Sequence, residues 1–269
     1  MIKFTIMTTL ALAFLAKTAF AGSTILVQST TSTKNSGLYD HILPVVKRDT
    51  GIRVNVVAVG TGAAIKNAMN CDGDVLLVHS RKREDQFVAR GYATRRYDVM
   101  YNDFVIVGPG DDPADIANMN DAVAALTKIA GTKSKFASRG DDSGTHGKEK
   151  ALWNRTGVDQ AASSGNWYLE TGSGMGATLN TAVGIEAYAL SDRASWEVYA
   201  NKSNFKIMVE GDKSLFNPYG VMLVDPARCP SVNSNGGKAF INWLLSEKGQ
   251  KTIANFKIAG KQMFFPNAQ

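Results

Sequence analysis

The sequence predicts an α/β protein with a mostly parallel sheet in each half, and three observations carry that prediction. Short β-branched runs alternate with helical stretches along most of the chain. The junctions between them are rich in hydroxyl residues and glycine. One Gly/Pro/Asp cluster, residues 108–113 (GPGDDP), interrupts the alternation. In such sheets ligands bind beyond the carboxyl ends of the strands, so the junctions are where function is to be sought.

Residues 23–28 (STILVQ) read as the first strand. The hydroxyl-rich 29–37 (STTSTKNSG) then leads into a helical stretch, 38–48, with Pro44 inside it. Residues 53–59 (RVNVVAV) form a second strand, followed by Gly60-Thr61-Gly62 and a helix; 74–78 (DVLLV) form a third, followed by a charged helix over 84–89. Arg81-Lys82-Arg83 followed by Glu84-Asp85 reads as a solvated helix face. Residues 99–107 make an apolar strand that ends at GPGDDP, the best candidate for a crossing between domains. Beyond it, 117–130 and 177–190 read as helices, 205–209 and 219–224 as strands, and 237–254 as a final helix.

The chain opens with Lys3, an apolar stretch from Ile6 to Ala16, and Ala19-Phe20-Ala21, which has the small-x-small form of a cleavage site. Residues 1–21 are therefore expected to be a signal peptide and the mature protein to start at Gly22 in the periplasm. Losing Lys3 and Lys17 from the 30 basic side chains leaves 28 against 24 acidic ones, scattered along the chain. No basic stripe with interleaved aromatics argues for nucleic acid, and no further apolar run is long enough to span a membrane.

The two cysteines, Cys71 and Cys229, match neither a redox nor a zinc spacing. Export permits a disulfide between them, the alternative being a pair of free thiols. His41, His79 and His146 show no H-E-x-x-H pattern, so no metal site is expected; His146 with Glu149 reads as an i, i+3 pair on a helix surface.

The most telling segment is 138–146, SRGDDSGTH, which opens onto the helix-forming KEKALW. A helix start carries unpaired N–H groups and partial positive charge, and so favours anions. Gly140 and Gly144 permit close approach of the backbone, Ser143 and Thr145 offer hydroxyl donors, and Arg139 offers a charged fork. The same residues would also serve a helix merely capped by Ser143, with Arg139 paired to Asp141 or Asp142. Four junctions carry such clusters, two on each side of GPGDDP. Together they nominate Thr30, Thr31 and Ser32; Thr61 and Gly62; Arg139, Ser143, Gly144 and Thr145; and Gly176 as ligands of a small oxyanion held between two halves. A hydrolase is the competing class, with Ser143, His146 and Asp141 as its triad. The three lie on a single turn and no G-x-S-x-G is present, so no enzymatic activity and no cofactor are expected.

The runs LVQSTTSTKNSGL, VAVGTGAAIKNAMNCDGDVLLVHSRKRE, YDVMYNDFVIVGP, SRGDDSGTHGKEKALW, GSGMGATLN and EGDKSLFNPYGVMLV resemble the periplasmic tungstate-binding proteins of ABC importers, in the same order over nearly the whole mature chain. The resemblance implies a class II periplasmic-binding-protein fold. Its two lobes would be 22–108 with 211–269, and 109–210. It further implies a monomer that captures tungstate, with molybdate as the nearest competitor, and delivers it to a membrane permease. The family's TTTS stretch falls on Ser29-Thr30-Thr31-Ser32, and its ligand-binding arginine falls on Arg139. A narrower resemblance, Arg139-x-Asp141-x-Ser143-Gly144-Thr145, is to the anion loop of phosphate-binding proteins, whose aspartate accepts a proton from the ligand. Tungstate at neutral pH has no proton to give, so a tungstate site requires Asp141 to turn away and orient Arg139. Asp141 is therefore the discriminating residue between the two readings.

Overall fold

The computed structural model describes residues 23–268. The expected signal peptide, residues 1–21, lies outside the described residues. Strand β1 (Thr24–Thr30) leads to a short helix α1 (Thr31–Asn35) and then α2 (Leu38–Thr50). The chain continues through β2 (Arg53–Val59), α3 (Thr61–Met69), β3 (Val75–Val78) and α4 (Arg81–Ala89) to the long strand β4 (Tyr97–Gly108). After it come α5 (Ala122–Thr132), β5 (Phe136–Ser138), α6 (Gly144–Thr156), β6 (Tyr168–Glu170), α7 (Met175–Ile185), β7 (Ala189–Asp192), α8 (Arg193–Val198) and β8 (Lys206–Val209). The return strand is β9 (Phe216–Leu223). Helices α9 (Ser234–Leu245) and α10 (Glu247–Ala254) and the short strands β10 (Lys257–Ile258), β11 (Lys261–Gln262) and β12 (Phe265–Pro266) complete the chain.

The first sheet has the order β12-β4-β9-β3-β1-β2. Its β2-β1-β3 part is parallel, as the strand–helix alternation predicts, whereas β9 lies antiparallel between β3 and β4. The antiparallel part exists because β4 leaves this sheet and β9 returns to it. Up to Asp103, β4 pairs with β9; from Phe104 it pairs with β7 and β8. The apolar side chains divide at the same place. Ile25, Leu38, Val99, Met100, Tyr219 and Phe240 share one core, while Phe104, Ile106, Leu126, Trp153, Tyr188 and Val209 share another. Phe104 to Gly108 thus fall on the second side, although the lobe bounds read from the sequence put them on the first.

Three other expectations differ in detail. The helix expected over 177–190 stops at Ile185, where Glu186 turns into the left-handed region (φ 56°) and the chain continues as β7. The apolar run after Glu186 reads as more helix because a short apolar segment has no decisive period. The helix expected over 117–130 starts only at Ala122, capped by Asp121, whose side chain accepts from the Ala124 N–H. The final helix is two: Ser246 is extended (ψ 158°) and its hydroxyl accepts the Gly249 N–H, which starts α10 afresh. Cys71 and Cys229 are joined by a disulfide that ties the end of α3 to the loop after β9 across 158 residues. Closing so long a loop restricts the unfolded chain, an effect on the order of 4–5 kcal/mol in the chain-entropy model.

Candidate functional site

A small cleft opens where the carboxyl ends of β1, β2, β3 and β5 face one another. Around it stand Thr30, Thr31 and Ser32 after β1, Gly60 and Thr61 after β2, His79 after β3, and Arg139, Ser143, Gly144 and Thr145 after β5. The hydroxyl-rich junction turns because Thr30 caps α1; its Oγ1 accepts the Thr33 N–H. Thr61 begins α3 and Thr145 stands in the first turn of α6, each among N–H groups that have no partner within the helix. Two starts of full-length helices, one from each side of the molecule, therefore face the same cleft with partial positive charge.

Arg139 is the one cation among the lining residues and is almost completely buried, at 3% exposure. Its Nε donates to the Ser173 carbonyl (2.9 Å), and its Nη2 donates to Asp141. The other Asp141 oxygen accepts the Ser143 N–H (3.2 Å). Both carboxylate oxygens are thus engaged by the protein, one of them by the arginine. The Nη1 of Arg139 has no hydrogen-bond partner among the described residues. Below the arginine lies Glu149, buried at 1% exposure. It accepts from the Tyr168 hydroxyl (2.6 Å) and the Arg139 N–H (3.4 Å). Burial pushes its carboxyl up to about 7, which limits the negative charge behind the cleft.

The two sides touch at their rims. Gly144 N–H donates to Thr61 Oγ1 (3.0 Å), and Arg83 of α4 donates to the Asp142 carbonyl (3.2 Å) and pairs with its carboxylate. A Cβ on Gly144 would lie 2.9 Å from Thr61 Oγ1 and 3.0 Å from His79 Cε1, so any other residue here would push Thr61 or His79 aside. Asp142 holds a left-handed backbone (φ 58°) to make its contact.

Most of the residues nominated from the sequence converge here: Thr30, Thr31, Ser32, Thr61, Arg139, Ser143, Gly144 and Thr145 all line the cleft. Two do not. Gly62 lies under the Arg83–Asp142 pair, where a Cβ would come within 2.7 Å of the Asp142 carboxylate. Gly176 is exposed in the first turn of α7 and stands outside the lining. The fourth junction contributes through Ser173, which holds Arg139, rather than through its glycines. The capped-helix alternative also holds as far as it goes, since Ser143 Oγ accepts the His146 N–H (3.1 Å).

The structure corrects two smaller expectations. Arg83 reaches across to the other side instead of facing only solvent. His146 and Glu149 are buried, not a surface pair. His146 turns its Nδ1 toward the Asp142 N–H (3.2 Å) and meets Ser143 through backbone only, so the triad geometry is absent. Val59, Gly60 and His79 line the cleft without having been nominated from the sequence, and His79 is the one among them with a polar side chain. It ends an apolar strand with no motif around it, and its partner Asn217 lies 138 residues away. Among the described residues no group of three or more His, Cys, Asp or Glu is placed to hold a metal ion, and no helix is long and apolar enough to cross a membrane.

Comparison with known proteins matches residues 17–248 to the PBP superfamily domain. The tungstate-binding protein TupA of Peptoclostridium acidaminophilum is 46% identical over 256 residues, 94% of this chain and 88% of that protein. That of Campylobacter jejuni is 40% identical over 243 residues, 88% of this chain and 89% of the relative. The solved tungstate-binding protein TupA of Desulfovibrio alaskensis G20 superposes with a TM-score of 0.81 at 45% identity, covering 92% of this chain and all of that one.

Proposed function

We propose, for a chain that belongs to the PBP superfamily and within it to the tungstate-binding proteins of ABC transporters, that the cleft around Arg139 is the tungstate site. As a solute-binding protein the chain is not an enzyme. Its work is to replace the hydration shell of a dianion with fixed donors: first-turn N–H groups of α3 and α6, hydroxyls of Thr31, Thr61 and Thr145, and the unoccupied Nη1 of Arg139. Fixed dipoles aimed at one point stabilise a dianion without a matching pair of cations.

The observation that carries this reading is the engagement of Asp141. A carboxylate aimed into the cleft would reward a ligand with a proton to donate, as hydrogen phosphate has. Asp141 instead spends one oxygen on Arg139 and the other on the Ser143 N–H, an arrangement suited to a fully deprotonated oxyanion. The longer metal–oxygen bonds of tungstate and molybdate would separate both from sulfate. The touching rims, Gly144 on Thr61 and Arg83 on Asp142, fit a closed form in which the two lobes, hinged where β4 changes partners, enclose the anion.

In the full cycle the exported, monomeric protein captures the anion in the periplasm and its closed form docks on the membrane permease. The large apolar side chains exposed among the described residues are few, Val198, Phe216 and Phe265, which suits a protein that works alone until it docks. Calorimetric titration of the ligand-stripped mature chain with tungstate, molybdate, sulfate and phosphate tests the reading. Tight tungstate binding with none for phosphate is expected; the reverse order would replace this reading with a phosphate carrier.

A further inference from the structure

His79 sits at a junction that the anion site does not by itself require. The residue is 6% exposed, and its ring stacks on Tyr219 at 4.8 Å between centroids. Nδ1 lies 3.1 Å from Asn217 Oδ1, and Nε2 lies 3.3 Å from Ser32 Oγ. Asn217 in turn donates through Nδ2 to Asn102 Oδ1 at 2.6 Å. All four side chains are buried, and together they form one continuous chain of polar groups.

The direction of each bond follows from the chemistry of its ends. A carbonyl oxygen only accepts, so Asn217 Oδ1 requires the proton to be on Nδ1. Burial holds the imidazole below its ordinary pKa; the Asp192 carboxylate opposes this, while Arg139 and Lys148 add to it, so the ring is neutral at pH 7. A neutral ring protonated on Nδ1 presents a lone pair at Nε2. Ser32 must therefore donate its hydroxyl proton to His79, which leaves its oxygen free to accept from Thr30 Oγ1 at 3.3 Å. The ring fixes which way the hydroxyls of the first wall point.

The other end of the chain is the place where the sheet divides. Asn102 and Asn217 are register partners on β4 and β9. One residue further Asp103 faces Phe216, and from Phe104 onward β4 pairs with β7. A rotation of one lobe against the other must be absorbed in this stretch. His79 also meets the opposite wall at Gly144, where an added Cβ would push the ring aside.

Building on the tungstate reading of the cleft, we propose that His79 is a positioning residue that links the crossing strands, through Asn102 and Asn217, to the hydroxyl direction of Ser32 in the anion site. Lobe closure and the ordering of the first wall are then one event, because the same ring is gripped by the hinge strands on one edge and by the anion loop on the other.

Asn217 and Ser32 do not touch each other, so a double-mutant cycle isolates what passes through His79. Tungstate affinity of the ligand-stripped mature protein is measured by calorimetry for wild type, Ser32→Ala, Asn217→Leu and the double variant, with ligand-free melting temperature as the control for folding. Separate sites give additive losses; a shared unit makes the double variant lose at least about fivefold less than the product of the singles. His79→Asn offers a group only near Nδ1 and His79→Gln only near Nε2. Each leaves one half of the link broken, and each should weaken binding about tenfold even if Asn217→Leu does not fold.

Additive losses in the cycle, or wild-type affinity in both His79 variants, would overturn the proposal. If Arg139→Ala abolishes binding while the His79 variants behave as wild type, the link fails and the site stands. If wild type itself does not bind tungstate, both fall.

Discussion

The two walls of the cleft solve the same problem with different chemistry. The first, built on β1, β2 and β3, is neutral: Thr30, Thr31, Ser32 and Thr61 with a neutral His79 behind them. The second, built on β5 and α6, carries the buried guanidinium of Arg139, gripped by Asp141 and by the Ser173 carbonyl, with Glu149 buried beneath. The comparison teaches that the charge lining the cleft is confined to one wall and balanced there. The arginine can then hold its place before an anion arrives, and the neutral wall can approach it without like-charge repulsion.

The largest expected effect breaks the charged wall. Arg139→Ala removes charge-assisted bonds worth roughly 1.5–3 kcal/mol each and leaves Asp141 unpaired beside the anion, so tungstate affinity should fall at least about a hundredfold in a calorimetric titration. Unchanged affinity would remove Arg139 from the site.

Next is the contact where the walls meet. Gly144→Ala places a methyl 2.9 Å from Thr61 Oγ1 and 3.0 Å from His79 Cε1, which blocks closure without touching a charge. The loss should be about tenfold, mostly in a faster dissociation rate read by stopped-flow fluorescence. Wild-type dissociation would mean the rims do not meet in solution.

The buttress behind Arg139 should show itself in stability. The Glu149 carboxyl is raised to about 7 in the fold from 4.5, so the folded state holds its proton where the unfolded state has lost it. Its contribution is complete below pH 4.5 and disappears as pH rises through 7, on the order of 3 kcal/mol at most. Glu149→Gln should flatten that part of the curve in denaturant titrations from pH 4.5 to 7.5, and an unaltered slope would show that Glu149 is ionised throughout.

The smallest effect belongs to Arg83→Ala. The Asp142 side chain is 67% exposed and that of Arg83 33%, and pairs of this kind contribute about 0–1 kcal/mol. A few-fold loss that vanishes at high salt is expected; a loss as large as that for Arg139 would make the rim pair part of the binding site.

Sequence reading reaches the two walls unequally. The charged wall is legible because a loop with arginine, glycines and hydroxyls before a helix has a specific physical use, and Arg139, Ser143, Gly144 and Thr145 line the cleft. The neutral wall is half legible. Its threonines stand out as a hydroxyl cluster, but His79 ends an apolar strand like any other residue, and its meaning depends on Asn102 and Asn217, which only the sheet brings near. Gly176 misled because TGSGMG looks like a ligand loop, whereas the fold uses the neighbouring Ser173 carbonyl to hold the arginine. In the fold, the strand–helix alternation was readable through β3 and α4. The division of β4 between two partners was not, because residues 97–108 form one uninterrupted strand and only its neighbours change.

The central claim is that a fully deprotonated oxyanion sits between these walls while Asp141 faces Arg139. An anomalous difference map at the tungsten absorption edge, from crystals of the tungstate-saturated protein, tests it directly. The account predicts one tungsten peak bounded by Thr30, Thr31, Thr61, Arg139 and Thr145, with the Asp141 carboxylate still on the guanidinium. A peak elsewhere, or an Asp141 oxygen in hydrogen-bonding contact with the ligand, would contradict it.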